Sequence, residues 1–218
     1  TADGTLKHSK HQAKPGVRYP CPRLFFMANP QQRKPRRLDL NPSSADRWTT
    51  CTASPMFLFE NWDRLPVEDR TFADPGTSAH EVAAALLQDR PVRESECPAP
   101  VDSEMHRHAW DYMEFVESLR EHGGKFLVEQ KLPLFYHERR NAIVDVAVIN
   151  PANMHVVDYK YGEGILVSPE HNLQMTIYAK SVIWNSREWH SEEGMPLPFE
   201  PPDDFPVSLH IYQPRARN

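Results

Sequence analysis

The sequence MHVVDYK at residues 154–160 decides how the rest of the chain is interpreted. Its β-branched and apolar residues predict a strand that ends at the polar pair. Because side chains alternate along a strand, Asp158 and Lys160 point to the same face. A carboxylate that can bind a metal beside an ammonium that can hold an anion suits phosphate chemistry. Acid–lysine pairs also occur by chance at strand ends, so the remaining residues must decide.

The composition fits one globular domain with a tail. The chain has 218 residues, 39% of them hydrophobic and 25% charged, which are ordinary values for a globular protein. Its 21 prolines and 8 glycines indicate ordered elements joined by stiff connections. Three separated cysteines without a CxxC motif argue against a disulfide scaffold and favour a reducing cytosol. No apolar run reaches the roughly 18 residues of a membrane helix.

The net charge of -5 hides an asymmetry. Residues 1–40 contain nine Lys or Arg and two Asp, whereas the rest of the chain carries an excess of acids. We expect residues 1–40 to be a basic, disordered leader, although a nucleic-acid arm is an alternative. A natural start at Met27 makes residues 1–26 a candidate for non-native sequence. Residues 41–218 are predicted to form one domain.

Hydrophobic periodicity predicts a short helix and two longer helices, followed by three strands, a helix and a strand. The predicted helices cover residues 43–51, 77–90, 102–121 and 169–184, and the predicted strands cover 125–132, 141–149, 154–160 and 207–213. Thr77, either Asp102 or Ser103, and Ser168 are predicted helix caps, and Trp110 is expected on the apolar face of the helix at 102–121. A polar run at residues 138–141 is predicted to be the first hairpin turn. The fold class is α/β.

Candidate site residues lie at the ends of these elements. His80 and Glu81 fall in the first turn of a predicted helix, and Asp145 lies between two valines in a predicted strand. Two aspartates on neighbouring strands can hold one hard cation such as Mg²⁺, and a histidine adds a nitrogen ligand, which Mn²⁺ accepts more readily than Mg²⁺ does. Lys160 would stabilise the charge that develops on the phosphate.

Gln174 and Tyr178, one helical turn apart, can bind the DNA backbone or orient Lys160. Each residue also has an ordinary interpretation: His80 as a surface cap, and Asp145 as a chance acid. Glu129 is either a further acidic contact or a solvent-facing strand residue, and the second is favoured. The other histidines are expected to be surface residues because they lack ligand spacing.

These motifs together resemble the RecB-like branch of the PD-(D/E)XK nuclease superfamily. The resemblance rests on residues 76–81 (GTSAHE), Asp145, residues 158–160 and residues 174–178 (QMTIY). Flanking residues 43–48, 161–164, 172–174 and 212–215 are similar to those of a phage-associated family of uncharacterised RecB-like proteins. The resemblance covers about residues 43–215 and implies an αβββαβ restriction-endonuclease-like core, with a mixed central sheet flanked by helices.

The resemblance implies a metal-dependent deoxyribonuclease, an exonuclease or end-processing enzyme of phage or prophage DNA recombination or repair in the bacterial cytoplasm. It implies metal ligands from His80, Asp145, Asp158 and the carbonyl of Tyr159, a catalytic Lys160, and Glu81 just outside these ligands. Gln174 and Tyr178 would position the reacting groups. The expected cofactor is Mg²⁺ or Mn²⁺, without an iron–sulfur cluster. Expected partners are DNA ends and a recombinase, helicase or single-strand-binding protein.

Besides lacking the four cysteines that hold an iron–sulfur cluster in some relatives, the sequence departs from the family pattern in two ways. The glycine that often precedes the first strand aspartate is absent at residues 141–144, and family members usually continue beyond the last motif. The second departure leaves room for a missing C-terminal portion that carries part of the DNA path. A catalytically silent nucleic-acid-binding or assembly module that keeps the nuclease fold is the alternative function.

Overall fold

Four strands form one mixed sheet in the order β1-β2-β3-β4. The computed structural model describes residues 38–65, 73–164, 166–188, 202 and 204–216. The strands are β1 (Lys125–Leu134), β2 (His137–Ile149), β3 (Met154–Tyr159) and β4 (Val207–Tyr212). The first three are antiparallel neighbours, whereas β4 is parallel to β3. A parallel neighbour requires a crossover connection, and helix α5 lies in the one between β3 and β4.

Helices lie on both faces of this sheet. They are α1 (Ala45–Thr50), α2 (Ser54–Glu60), α3 (Asp74–Leu87), α4 (Ser103–Ser118) and α5 (Leu173–Glu188), with short 3-10 turns at Pro42–Ser44, Trp62–Arg64 and Glu94–Glu96. The predicted α/β class with a mixed, helix-flanked sheet is confirmed. Across the described residues, each helix falls short of the length and apolarity that a membrane crossing requires.

The sheet separates two hydrophobic clusters. On one face, α5 packs Met175 and Val182 against Val156 and Leu132 of the sheet. On the other face, α3 and α4 pack against residues such as Val146 and Val157; their buried contributions are Ala79, Val82, Ala83, Met105, Ala109, Tyr112 and Val116. Strands covered on both faces explain the nearly continuous apolar character of β3. Truncating a fully buried side chain such as Leu132 to alanine would cost about 2–5 kcal/mol.

Two predicted helix starts are wrong. Helix α3 begins at Asp74 with Pro75 in its first turn, so Thr77 lies inside the helix and donates to the carbonyl of Ala73. Helix α5 begins at Leu173, after Asn172, whose Oδ1 accepts from the backbone N–H of Met175 at 3.1 Å. The hydroxyl of Ser168 instead accepts from Glu170 within the preceding turn.

The hairpin turn is also displaced from its predicted place. It consists of Phe135 and Tyr136, and the polar run at 138–141 lies inside β2. Phe135 packs against the α5-side cluster, and the Tyr136 hydroxyl donates to the carbonyl of Leu40 at 2.9 Å. Tertiary packing therefore places an apolar pair at the turn. The predicted leader, apart from residues 38–40, lies outside the described residues.

Helix α4 confirms one predicted cap and corrects one predicted core residue. The carboxylate of Asp102 accepts from the N–H of Met105 at 2.8 Å, as expected for an N-cap. Trp110, expected on the apolar face, is 51% exposed. Its place on the buried face is taken by Tyr112, which is 1% exposed. Tyrosine can fill a core position because most of its surface is apolar.

Asn150 ties the end of α4 to the turn between β2 and β3. Its side-chain oxygen accepts from the N–H of Glu121 at 3.0 Å, and its amide donates to the carbonyl of Leu119 at 3.0 Å. A Cβ at Gly124 would lie 2.4 Å from Asn150 Oδ1. Only glycine leaves room for this bridge.

Candidate metal centre

Asp145 lies at the centre of the predicted site residues. It is 9% exposed, and its Oδ2 accepts a hydrogen bond of 2.8 Å from the backbone N–H of Tyr159 on β3. The same oxygen lies 3.6 Å from Nδ1 of His80 on α3. Asp145 therefore connects the helix and the two central strands.

Glu129 joins this group, contrary to the favoured prediction that it faces solvent. Its Oε1 lies 3.3 Å from Nδ1 of His80. The pairs Val128–Val146 and Gln130–Val144 place Glu129 opposite Asp145 in the β1–β2 ladder. Residues directly opposite one another in an antiparallel pair share a face.

The backbone at Glu129 is unusual, with φ of +48°. This left-handed conformation is uncommon for residues other than glycine and tends to occur at functional sites. Val128 faces the α3–α4 cluster, whereas the next buried residue of β1, Leu132, faces α5. The side chains of β2 change direction at the same level: Val144 faces α5, whereas Val146 faces α3 and α4. Strand alternation alone therefore could not assign the direction of Glu129.

Asp158 is held by the predicted lysine and glutamine. Lys160 Nζ donates to Asp158 Oδ1 at 3.2 Å, and Gln174 Nε2 donates to the same oxygen at 2.9 Å. Gln174 Nε2 also lies 3.0 Å from the hydroxyl of Tyr178. The structure brings these four residues together.

The second oxygen of Asp158 keeps capacity for another partner. Oδ2 is buried and forms an ion pair of 2.9 Å with Lys160 Nζ. A carboxylate oxygen has lone pairs for more than one partner, so Oδ2 can also bind a cation. Burial raises the pKa of the Tyr178 phenol, so the hydroxyl next to Gln174 stays protonated.

Glu81 has a different environment from the one predicted. Its carboxylate, 5% exposed, accepts hydrogen bonds from the guanidinium groups of Arg90 and Arg93, the closest at 2.6 Å and 2.9 Å. The backbone N–H of Arg93 adds a further bond of 2.7 Å. Burial opposes ionisation, but these hydrogen bonds lower the pKa of Glu81 to about 2. These contacts give Glu81 a structural role in place of the predicted one beside the metal.

Acids dominate the electrostatics around Asp145. Burial would lower the pKa of His80, but the charges of Asp145 and Glu129 outweigh it and raise the pKa to about 9. Burial, with the nearby charges of Asp158 and Glu129, raises the pKa of Asp145 despite the attraction of His80. The cluster therefore favours a positive charge at its centre.

A divalent ion fits this donor set. One nitrogen of His80 and one oxygen each of Glu129 and Asp145 lie within 4.8 Å of one another. Ligands about 2.1 Å from one ion are separated by roughly 3–4 Å, and the two distances to His80 Nδ1, 3.3 Å and 3.6 Å, lie in this range. Two carboxylates and an imidazole suit Mn²⁺ and Mg²⁺.

The structure thus adds one candidate, Glu129, to the predicted ligand set. His80 and Asp145 come together as predicted, and Glu129 is the member that sequence reasoning missed. Asp158 is bound to Lys160 and Gln174 and lies outside the three-residue group. Tyr159 contributes its N–H to Asp145, and a carbonyl ligand from Tyr159 stays a prediction. The register of Glu129 with Asp145 was the signal that would have identified it.

A small pocket opens beside His80, between α3, α4 and the β1–β2 hairpin. His80, Glu129 and Asp145 contribute its polar lining, and Tyr112 contributes part of its apolar wall. The ring of Tyr112 stacks on that of Tyr159 with centroids 4.5 Å apart. This packing fixes the residue whose N–H binds Asp145.

Residues 39–218 match a family model described as Protein of unknown function (DUF2800). No solved structure matches the chain. Since the family model spans most of the sequence, the chain belongs to the DUF2800 family.

Proposed function

We propose that this member of the DUF2800 family is a divalent-metal-dependent deoxyribonuclease. One observation carries the proposal: His80 contacts both Glu129 and the buried Asp145, and this group lies next to the Asp158–Lys160 pair. A metal-compatible donor group next to a lysine is the combination that hydrolysis of a phosphodiester requires.

The metal would be held by His80, Glu129 and Asp145, with Asp158 as a further proposed ligand through its Oδ2. When bound, a divalent ion polarises the phosphodiester, lowers the pKa of a bound water and stabilises the leaving oxygen. Asp145 is already oriented by the N–H of Tyr159 at 2.8 Å. Such fixed ligands avoid the cost of ordering side chains during binding.

Lys160 would act on the substrate itself. Its side chain is 36% exposed, while that of its partner Asp158 is 3% exposed. The ammonium is therefore anchored at a buried carboxylate and still accessible to a phosphate. From there it would orient the attacking water or hydrogen-bond a phosphate oxygen as negative charge develops. Gln174 and Tyr178 hold Asp158 in place from α5.

The arrangement of elements also supports a PD-(D/E)XK-like core. Helix α4, strands β1 to β3, helix α5 and strand β4 follow the αβββαβ order. The candidate residues lie where β2, β3 and the flanking helices meet. Fold alone does not determine activity, so the proposal depends on the side chains.

The substrate and setting follow from the sequence resemblance. We propose DNA ends as substrate, exonucleolytic or end-processing cleavage, and a role in phage or prophage recombination or repair in the bacterial cytoplasm. A recombinase, helicase or single-strand-binding protein would bring the enzyme to DNA.

The alternative is a DNA-binding or assembly module without cleavage. It is favoured by the excess of acids after residue 40, which suits a protein partner better than a long nucleic-acid track. The donor group around Asp145 argues against it, because clustered carboxylates repel phosphate unless a cation neutralises them.

A nuclease assay with Mn²⁺ or Mg²⁺ tests the proposal on linear duplex, single-stranded, nicked and circular DNA. Wild-type protein should degrade linear DNA and lose activity in EDTA, whereas Asp158→Ala and Lys160→Ala should be inactive. His171→Gln, at a fully solvent-facing position (94% side-chain exposure), is the matched control and should retain activity. Equal degradation by wild type and both active-site variants would overturn the proposal.

A further inference from the structure

A second pair of possible metal ligands lies away from the carboxylate cluster. Nδ1 of His155 on β3 and Nε2 of His210 on β4 are 3.1 Å apart. The two residues are 55 positions apart in sequence, so no local spacing predicted the pair. His155 and Asp158 are three residues apart on β3, roughly 10 Å at the usual rise of a strand.

The sheet holds the two rings in place. β3 and β4 are parallel, with His155 paired to Ser208 and Val157 paired to His210. The ring of Phe115 on α4 meets that of His210 edge-on, with centroids 5.7 Å apart. Both histidines are half-buried. Because strands and packing fix both rings, binding an ion would order few side-chain rotamers.

The chemistry of the pair differs from that of the carboxylate cluster. Two nitrogens bound to one Zn²⁺ at 2.0–2.1 Å in tetrahedral geometry lie about 3.3 Å apart, close to the observed separation. Imidazole ligands favour Zn²⁺, Cu²⁺ and Ni²⁺, whereas Mg²⁺ prefers oxygen. Burial lowers the pKa of both His155 and His210, which keeps their lone pairs available at neutral pH.

A negative group lies beside the pair. The charge of Glu121, just beyond α4, raises the pKa of His155 against the effect of burial. Its Oε1 accepts a 2.8 Å hydrogen bond from Asn153, two residues before His155. A carboxylate offers about four lone-pair sites in all. Glu121 can therefore attract a cation, and Asn153 keeps it close to β3.

We propose that His155 and His210 form a binding site for a transition-metal ion of the Zn²⁺ class, with Glu121 as the anionic neighbour. A bound ion would join β3 to β4 at the end opposite Asp158 and Lys160. It would therefore brace the strand pair without taking part in chemistry at Asp145. The site is independent of the proposed nuclease function.

Zinc titration of the full chain by calorimetry tests this site. The titration uses a His80→Gln, Asp145→Asn background, which removes two of the three donors of the carboxylate cluster, and the tightest remaining Zn²⁺ event should have a stoichiometry of one. His155→Gln and His210→Gln should each weaken that event at least tenfold, and Glu121→Gln should weaken it less. His171→Gln, an exposed histidine, should leave it unchanged.

An unchanged Zn²⁺ isotherm in both His155→Gln and His210→Gln would overturn the proposal. Because a substitution in β3 or β4 can disturb the sheet, wild-type crystals soaked in Zn²⁺ give a second measurement. An anomalous peak within bonding distance of His155 Nδ1 and His210 Nε2 is expected. If zinc appears only between His80, Glu129 and Asp145, the pair is an ordinary hydrogen bond.

Discussion

Two neighbouring residues of helix α3 have opposite electrostatic surroundings. Glu81 is an acid whose partners are basic, whereas His80 is a base whose partners are acidic. Glu81 is buried and bonded by two arginines and a backbone N–H. His80 faces Glu129 and Asp145, where the acids outnumber the described basic partners. The pKa of Glu81 falls to about 2, whereas that of Asp145 rises, first because of burial and then because of its acidic neighbours.

The contrast separates an acid that supports the fold from acids that await a cation. A buried carboxylate with all its partners supplied by the chain needs nothing more, and removing it leaves charged partners unpaired. Carboxylates held together without enough positive charge oppose folding and gain from a metal ion. Burial alone does not distinguish the two, since both Glu81 and Asp145 are largely hidden from water. The charged and hydrogen-bonding partners of each carboxylate distinguish them.

The largest expected effect is on catalysis at the acid-rich side. Asp145→Asn should lower metal-dependent DNA cleavage by about 10³-fold or more, since loss of a ligand removes the ion's contribution to the transition state. Initial rates on linear DNA measure this, and Asp63→Asn at an exposed position is the control. Glu81→Gln should keep activity below its unfolding temperature. If it abolished activity in the folded protein, the division between the two regions would fail.

The next effect is on stability at the arginine-paired side. Glu81→Gln should reduce the free energy of unfolding by about 3 kcal/mol, because it leaves two guanidinium groups without their buried partner. Urea unfolding at pH 7 measures the change. Glu117→Gln, which breaks the exposed pair with Arg120, should change stability by less than about 1 kcal/mol. If Glu81→Gln lowered the free energy of unfolding no more than Glu117→Gln does, Glu81 would contribute only as much as an ordinary surface acid.

Acid should weaken the arginine-paired side in a defined window. The pKa of Glu81 is lower in the folded state, so its stabilisation is present above the unfolded value of 4.5 and is lost as the pH falls towards about 2. Glu81→Gln should therefore lose its difference from wild type over that range. Unfolding curves at several pH values test this part of the comparison.

Added metal should stabilise only the acid-rich side. At about 100 times its dissociation constant, Mn²⁺ should raise the free energy of unfolding by about 2.7 kcal/mol. Because His80 and Asp145 bind a metal only after losing protons, the affinity should fall as the pH is lowered from about 9, the pKa of His80. Thermal unfolding at pH 6 and pH 8, with and without Mn²⁺, measures both effects. Equal shifts in wild type and Asp145→Asn would place the ion elsewhere.

The smallest effect has the opposite sign from that at Glu81. Without added metal, Asp145→Asn should stabilise the fold by about 1 kcal/mol at neutral pH, since it removes a carboxylate that is costly to ionise. The pKa of Asp145 is raised on folding, so its contribution is present below the unfolded pKa and is lost as the pH rises. The gain of the variant should thus shrink towards pH 4. Destabilisation at every pH would mean that Asp145 is as fully compensated as Glu81.

The sequence predicted most of this arrangement. It did not predict which acids are paired with arginines and which lie in the carboxylate cluster. Apolar runs identified β2 and β3, and their neighbouring aspartates were correctly expected to lie close together. Glu81 looked like a site residue because it follows His80, yet one helical step directs the two side chains to different partners. Those partners, Arg90 and Arg93, lie in a loop whose course no periodicity predicts.

Glu129 escaped prediction for a different reason. Its left-handed backbone interrupts the strand alternation that sequence reasoning uses. The hairpin turn was misplaced because a polar run resembles a turn, while packing buries part of the apolar pair Phe135 and Tyr136. In each case a tertiary contact overrides a local preference.

The Asn150 bridge bears on how the family can vary. In a selection experiment on a library of variants, substitutions at Gly124 should be depleted, because a side chain there displaces Asn150 and detaches the end of α4 from the sheet. Gly76 and Gly162, which have open space around them, should accept alanine. Helix α4, which carries Tyr112, is thus positioned by a contact that tolerates few substitutions. The frequencies of the surviving substitutions would identify this contact without an assay of DNA cleavage.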